Sequence, residues 1–137
     1  MTYLAESIAL QSRFDTLWNN ETPVQWPNVA FSLEDKTEWV RFTILSEPAR
    51  QAAMGGNNSN LYRHPGFVSI QIFVKPNTGL KRALELADMV TNVWRGAQFS
   101  GITMGAPSVI PIGVQDGWYQ VNVLCSYYRD EVLSRSS

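Results

Sequence analysis

Apolar residues fall with helical spacing in two stretches of this chain and alternate with polar ones in several others. At ~100° per residue, Tyr3, Leu4, Ile8, Leu10, Phe14, Leu17 and Trp18 gather on one half of a first helix. Glu6, Ser12, Arg13, Thr16 and Asn19 take the other half, Asp15 intrudes on the apolar side, and Asn19-Asn20 with the coming Pro23 end the helix. Pro23 to Asn28 is extended, because Pro23 and Pro27 each bias the residue before them away from helix. Val29, Phe31 and Leu33 then alternate as a short strand, and Val40, Phe42 and Ile44 alternate with Arg41 and Thr43 in another. A further strand carries Val68, Ile70, Ile72 and Val74 on one face. Its second face, Phe67, Ser69, Gln71 and Phe73, is half polar, which suits a central strand or one that meets something on that side.

The second helix follows a Pro76-Asn77-Thr78-Gly79 break. Asn77 or Thr78 can cap it, and Gly96 ends it in the favoured place. Leu80, Ala83, Leu84, Leu86, Ala87, Val90, Val93 and Trp94 share one half-circle. Lys81, Glu85, Asp88, Asn92 and Arg95 share the other, with Lys81 and Glu85 spaced as an i,i+4 ion pair. After a short strand near Phe99–Met104, Asp116-Gly117 is a preferred two-residue hairpin turn. Centring the turn there pairs Val114 with Tyr119, Ile112 with Val121 and Ile110 with Val123, all on one apolar face, while Pro111 puts its strand near an edge.

These patterns predict an α+β fold: an antiparallel or mixed sheet of about five strands, both amphipathic helices packed on one face, and a C-terminal β-hairpin. Residues 1–131 read as a single domain and 132–137 as a flexible tail. The stretch from Arg50 to His64 has no core pattern, and Gly55-Gly56-Asn57-Asn58-Ser59-Asn60 is turn chemistry, so a long flexible loop is expected over about 50–64.

The 137 residues are enough for one domain with a real core, and 45% apolar against 17% charged residues is a globular balance. A net charge of −1 leaves phosphate-driven nucleic-acid binding without a basic surface. One cysteine, Cys125, excludes an intrachain disulfide and suits a reducing compartment; inside an apolar strand it reads as a small buried hydrophobe. Met1 to Glu6 lack the basic start and apolar run of a signal peptide. No stretch approaches the ~20 apolar residues of a membrane helix, so a soluble, cytoplasmically made chain is expected.

Chemistry is sparse. The single histidine, His64, lies in Arg63-His64-Pro65-Gly66 without an evident acid or base partner, and reads as an exposed loop residue. His64 with Cys125 lacks a nucleophile motif, and one His, one Cys and scattered carboxylates make a poor metal set. Gly55-Gly56-Asn57-Asn58 lacks the lysine and third spaced glycine of a phosphate loop. Asp15, Glu21, Glu34, Asp35, Glu38 and Glu47 read as solvated turns. No catalytic, metal-binding or cofactor-binding residue is predicted, and an enzyme is not expected.

Trp26-Pro27-Asn28, Trp39-Val40-Arg41-Phe42, Gly66 to Phe73 and Gly79 before Leu80–Val93 resemble the tail terminator (minor tail protein U-like) family of long-tailed bacteriophages. Gly113 to Val123 and Tyr128-Arg129-Asp130-Glu131 are similar too, so the likeness of order spans residues 3–131. The resemblance implies a non-enzymatic virion protein whose subunits close into a hexameric ring, with a monomer in isolation left open. Such a ring caps the head-proximal end of the tail tube, halts its polymerisation and offers a surface to the head completion or connector protein. It implies no cofactor, no membrane and no sequence-specific nucleic-acid binding. It places the protein in the host cytoplasm during assembly and then in the virion.

In that setting Arg50, Gln51, Met54, Asn57, Asn58, Tyr62, Arg63 and His64 are candidates for contact with the tube or a neighbouring subunit. Arg41, Lys81, Glu85, Asp88, Arg129, Asp130 and Glu131 are candidates for the ring interface, although each charge taken singly reads as solvated surface. A head-tail connector of another assembly stage is the alternative, followed by a small-ligand-binding α+β domain or enzyme.

Overall fold

A computed structural model describes residues 2–54 and 59–134. The elements in order are α1 (Tyr3–Trp18), β1 (Val24–Gln25), β2 (Glu38–Ser46), β3 (Arg50–Met54), β4 (Ser59–Val74), α2 (Lys81–Trp94), β5 (Gln98–Phe99), β6 (Ile102–Gln115) and β7 (Trp118–Ser134). The described strands form one sheet in the order β1-β2-β4-β7-β6-β5, with β3 also paired to β4. All neighbours are antiparallel except β1 and β2. The architecture is the predicted α+β one. Its seven strands exceed the expected five because β1 and β5 are two-residue pairings and β3 arises from the expected loop.

One face of the sheet carries the core. Val40 and Phe42 of β2, Val68, Ile70, Ile72 and Val74 of β4, and Val121, Val123, Cys125 and Tyr127 of β7 are buried together with both helices. This is the alternation read from the sequence, and β4 is central as expected. α2 buries Ala83, Leu86, Ala87, Val90, Val93 and Trp94, and Gly96 at φ 63 closes it. Its start differs from expectation. Leu80 is the N-cap and no side chain caps it; the Thr78 hydroxyl instead donates to the Lys75 carbonyl. Glu85 meets Arg82 at 3.6 Å rather than forming the predicted pair with Lys81, because Arg82 is drawn to the sheet side by Glu38 (2.7 Å) and Glu21 (3.0 Å).

α1 is capped by Thr2, whose Oγ1 accepts from the Ala5 N–H, and ends at Asn19 in the left-handed region. Its buried stripe is Glu6, Leu10, Phe14 and Trp18, spaced by four. The predicted apolar half is therefore too wide: Tyr3, Leu4, Ile8 and Leu17 are exposed, Leu4 at 71%. Glu6, assigned to the polar half, enters the core because Arg129 of β7 lies beneath it.

Two further expectations are corrected. Residues 29–33 are not a strand: Asn28 and Asp35 take positive φ, turning the chain, so only Phe31 packs, against Trp39 at 5.3 Å. The hairpin turn is where it was expected, with Asp116 at φ 52, Gly117 at φ 79 and Val114 opposite Tyr119. A bulge between Pro111 and Gly113 then shifts the register, pairing Pro111 with Val121, Ile110 with Asn122 and Val109 with Val123. Pro111 has no N–H to continue the regular ladder and Gly113 accepts φ 105, so the irregularity settles there and Ile112 has no directly opposed residue.

Candidate functional site

The segment expected to be an unpatterned loop is largely a strand arm. β4 and β7 stay paired from Val74–Tyr119 out to Ser59–Ser134, and β3 pairs with the outer part of β4 from Arg63 to Asn60. No core alternation is needed for this, because backbone pairing continues from strands already fixed by the core. The predicted tail is likewise strand through Ser134.

The arm brings together residues of the two candidate groups, which lie far apart in the sequence. Tyr62 is opposite Glu131, Arg63 opposite Asp130, and His64 opposite Arg129. Arg50 and Gln51 pair with Arg63 and Tyr62 from β3, and Met54 lies farther out on the same strand. Asn57 and Asn58 lie outside the described residues. Arg41 sits on the sheet face away from the helices, held by Gln25 (2.8 Å) and Gln71 (3.1 Å). Lys81, Glu85 and Asp88 lie on the outer side of α2, so they do not join the Arg41 patch.

Alternation divides the arm chemistry between its two faces. On the face away from the helices, Arg63 makes a two-pronged pair with Asp130 at 2.9 and 3.0 Å and lies 4.2 Å over the Tyr128 ring. The Arg63 hydrogen bond holds the Asp130 carboxyl below its usual range. On the helix face, Arg129 is 1% exposed and Glu6 3%, joined at 2.8 Å, and Tyr127 donates to the same carboxylate at 3.1 Å. Arg129 also reaches Glu131 at 3.1 Å and stacks over Tyr3, whose hydroxyl meets His64 Nδ1 at 3.3 Å. Burial first, and the Glu6 charge second, push the Tyr127 phenol well above its ordinary value. Gly66 makes this packing feasible: a Cβ there would lie 2.6 Å from the Tyr127 hydroxyl. Arg129 thus belongs to an internal ion pair that ties the root of the arm to α1.

His64 is half-buried in β4 and is not a loop residue. Its strand position opposite Arg129, and that of Cys125 opposite Val68, separate the two by four residues along one strand pair, roughly 13 Å. They cannot form a nucleophile–base pair at that distance. Burial raises the Cys125 thiol to about 11. Among the described residues, no three His, Cys, Asp or Glu side chains are grouped to hold a metal ion, and no helix is long and apolar enough to cross a membrane.

Two surfaces escaped the sequence reading. Val109, Ile110, Ile112 and Val114 of β6 are exposed, Val114 at 61%, along an edge that β5 covers only at Ile102 and Thr103. The signal was present, since from Ile102 to Gly117 the only charge is Asp116. The second surface is a groove of about 670 Å³ lined by Ala5, Ile8, Ala9, Leu17 and Phe99, with Arg13 as its single charged residue.

Comparison with known proteins bears on what these surfaces serve. One solved structure superposes with a TM-score of 0.69 at 16% identity, over 100% of this chain and 99% of that one, a likeness of fold. A search of curated proteins finds no match. The phage tail terminator protein family matches residues 7–127, which include most of α1, all of α2 and β6 and the first part of β7, and the chain belongs to that family.

Proposed function

We propose that this chain is the subunit of a ring that caps the head-proximal end of a phage tail tube, stops its polymerisation and presents the surface to which the head connector attaches. The family match across residues 7–127 carries the reading. The arm supports it: β3 is an outer strand on β4, and an uncovered strand edge is a ready template for another chain. In this reading Gln51 to Arg63 contacts the tube or the adjacent subunit, and the chain acts in the host cytoplasm before becoming part of the virion. The role is structural rather than enzymatic.

The test is tube assembly in vitro. Tail tube protein polymerised with this chain should give short tubes, each carrying one ring at one end in electron micrographs. A variant with residues 51–62 replaced by a short turn should stay folded and lose capping. Unchecked elongation in the presence of the full chain would sink the terminator reading; capping by the shortened variant would sink the role of the arm.

A further inference from the structure

The exposed hairpin and the α1 groove match each other. Between Ile102 and Gly117 the chain presents four exposed aliphatic side chains and one charge, Asp116, at the tip. The groove presents Ala5, Ile8, Ala9, Leu17 and Phe99 and one charge, Arg13. Arg13 donates to the Val93 carbonyl at 2.9 Å and lies 4.7 Å over Phe99. Among the described residues neither Arg13 nor Asp116 has an ion-pair partner. Val109 and Val114 lie opposite Val123 and Tyr119 on the helix side of the sheet, and Ile110 opposite Asn122 on the other. The free edge of β6 thus presents aliphatics on both sides with a single negative charge, and the same chain carries a mostly apolar groove with a single positive charge.

The β6 edge also restricts how it can be covered. Pro107 and Pro111 supply no N–H, and bulges at Met104/Pro107 and Pro111/Gly113 break the ladder, features that block the addition of a stray strand. Contact must be made through side chains, which a groove accommodates and a strand edge does not. Hairpin and groove are different patches, so their union is head-to-tail and generates a closed ring or a filament instead of a two-fold dimer.

We propose that the β6–β7 hairpin of one copy seats its Val109–Val114 aliphatics in the α1–Phe99 groove of the next copy, with Asp116 meeting Arg13. The proposal deepens the ring reading and rests on it. It fixes which two surfaces make the subunit contact.

Engineered cysteines test it, because Cys125 is buried and its thiol lies at about 11, leaving it silent toward maleimides. Ile8→Cys and Ile112→Cys are both exposed and should disturb the fold little. Chains carrying both, assembled alone at high concentration and with the tail tube protein, should cross-link into a ladder. A mixture of the two single variants should stop at a two-chain product, and each single variant alone should give none. Asp116→Asn keeps a residue suited to the positive φ of the turn and should weaken association about tenfold, with a smaller salt dependence. Self-linking of the Ile112→Cys variant alone, or assemblies without an 8–112 link, would overturn the proposal, as would failure of the copies to associate under either condition. If the 8–112 link forms while tubes elongate unchecked, the contact stands and the terminator reading fails.

Discussion

β4 and β7 run side by side through both halves of the molecule, yet the halves are stabilised by different physics. From Phe67 to Val74, β4 lies between β2 and β7 with both helices over one face, and its Val68, Ile70, Ile72 and Val74 are buried. From Ser59 to His64 the strand pairs with β3 and β7, and the side-chain interactions seen there are polar or aromatic: Arg63 with Asp130 and Tyr128, and His64 with Tyr3. Between the halves lies the buried Glu6–Arg129 pair with Tyr127. The core half is held by apolar burial, whose strength scales with area removed from water. The arm is held by backbone pairing and local ion pairs, so the two halves should respond differently to substitution.

The largest separation is expected from Trp94→Ala. This fully buried ring stacks near Phe14, and its loss leaves a cavity costing roughly 3–5 kcal/mol, read as a lower midpoint in denaturant unfolding. Because the cavity is in the core, the whole chain should unfold earlier. Next is Glu6→Ala, which removes the carboxylate shared by Arg129 and Tyr127 and leaves the buried guanidinium with Glu131 as its carboxylate partner, at a smaller cost of about 3 kcal/mol. Glu6→Leu combined with Arg129→Met should recover most of that loss, since a pair of apolar groups is tolerated where a buried charge that has lost its internal partner is not. If the double variant is as unstable as the single one, the pair is not what joins arm and core.

The smallest effect should come from Asp130→Asn, and it should be present near neutrality and vanish in acid. The folded Asp130 carboxyl lies below its ordinary value near 4, so its contribution is present above that value. It is lost as the pH falls through the lower, folded value. The substitution should therefore flatten the acid limb of stability, lower stability near neutrality slightly with no difference from the parent in acid, and reduce hydrogen-exchange protection only in the arm amides. Equal loss of protection in the Val68–Val74 amides would erase the distinction between the halves.

Much of the core half was legible. α2 was placed with the centre of its buried face because its apolar residues keep a 3.6-residue period over four turns, while Leu80 and Leu84, predicted on the same face, stay exposed at its margin. α1 was placed as a helix but with the wrong width of buried face: periodicity orients a helix without saying how much of it the sheet will cover. Glu6 shows the cost of that rule, because a charge is assigned to solvent unless its partner is known, and Arg129 lies 123 residues away. The arm was read as a loop because strand pairing without a core leaves no alternation to find. The hairpin turn was correct and its register was not, since a bulge at Pro111–Gly113 depends on where the neighbouring ladder can break.

The sequence alone determined the α+β class, both helices, the central strand, the Asp116-Gly117 turn and the likeness to tail terminators. These rest on local pattern and backbone chemistry, which neighbouring residues carry within themselves. Only the tertiary structure decided that residues 50–54 and 59–64 continue the sheet, that Arg129 is internal, and that apolar residues of α1 and β6 remain uncovered. Each of those depends on which distant segment lies opposite, and no run of adjacent residues encodes what its partner will be.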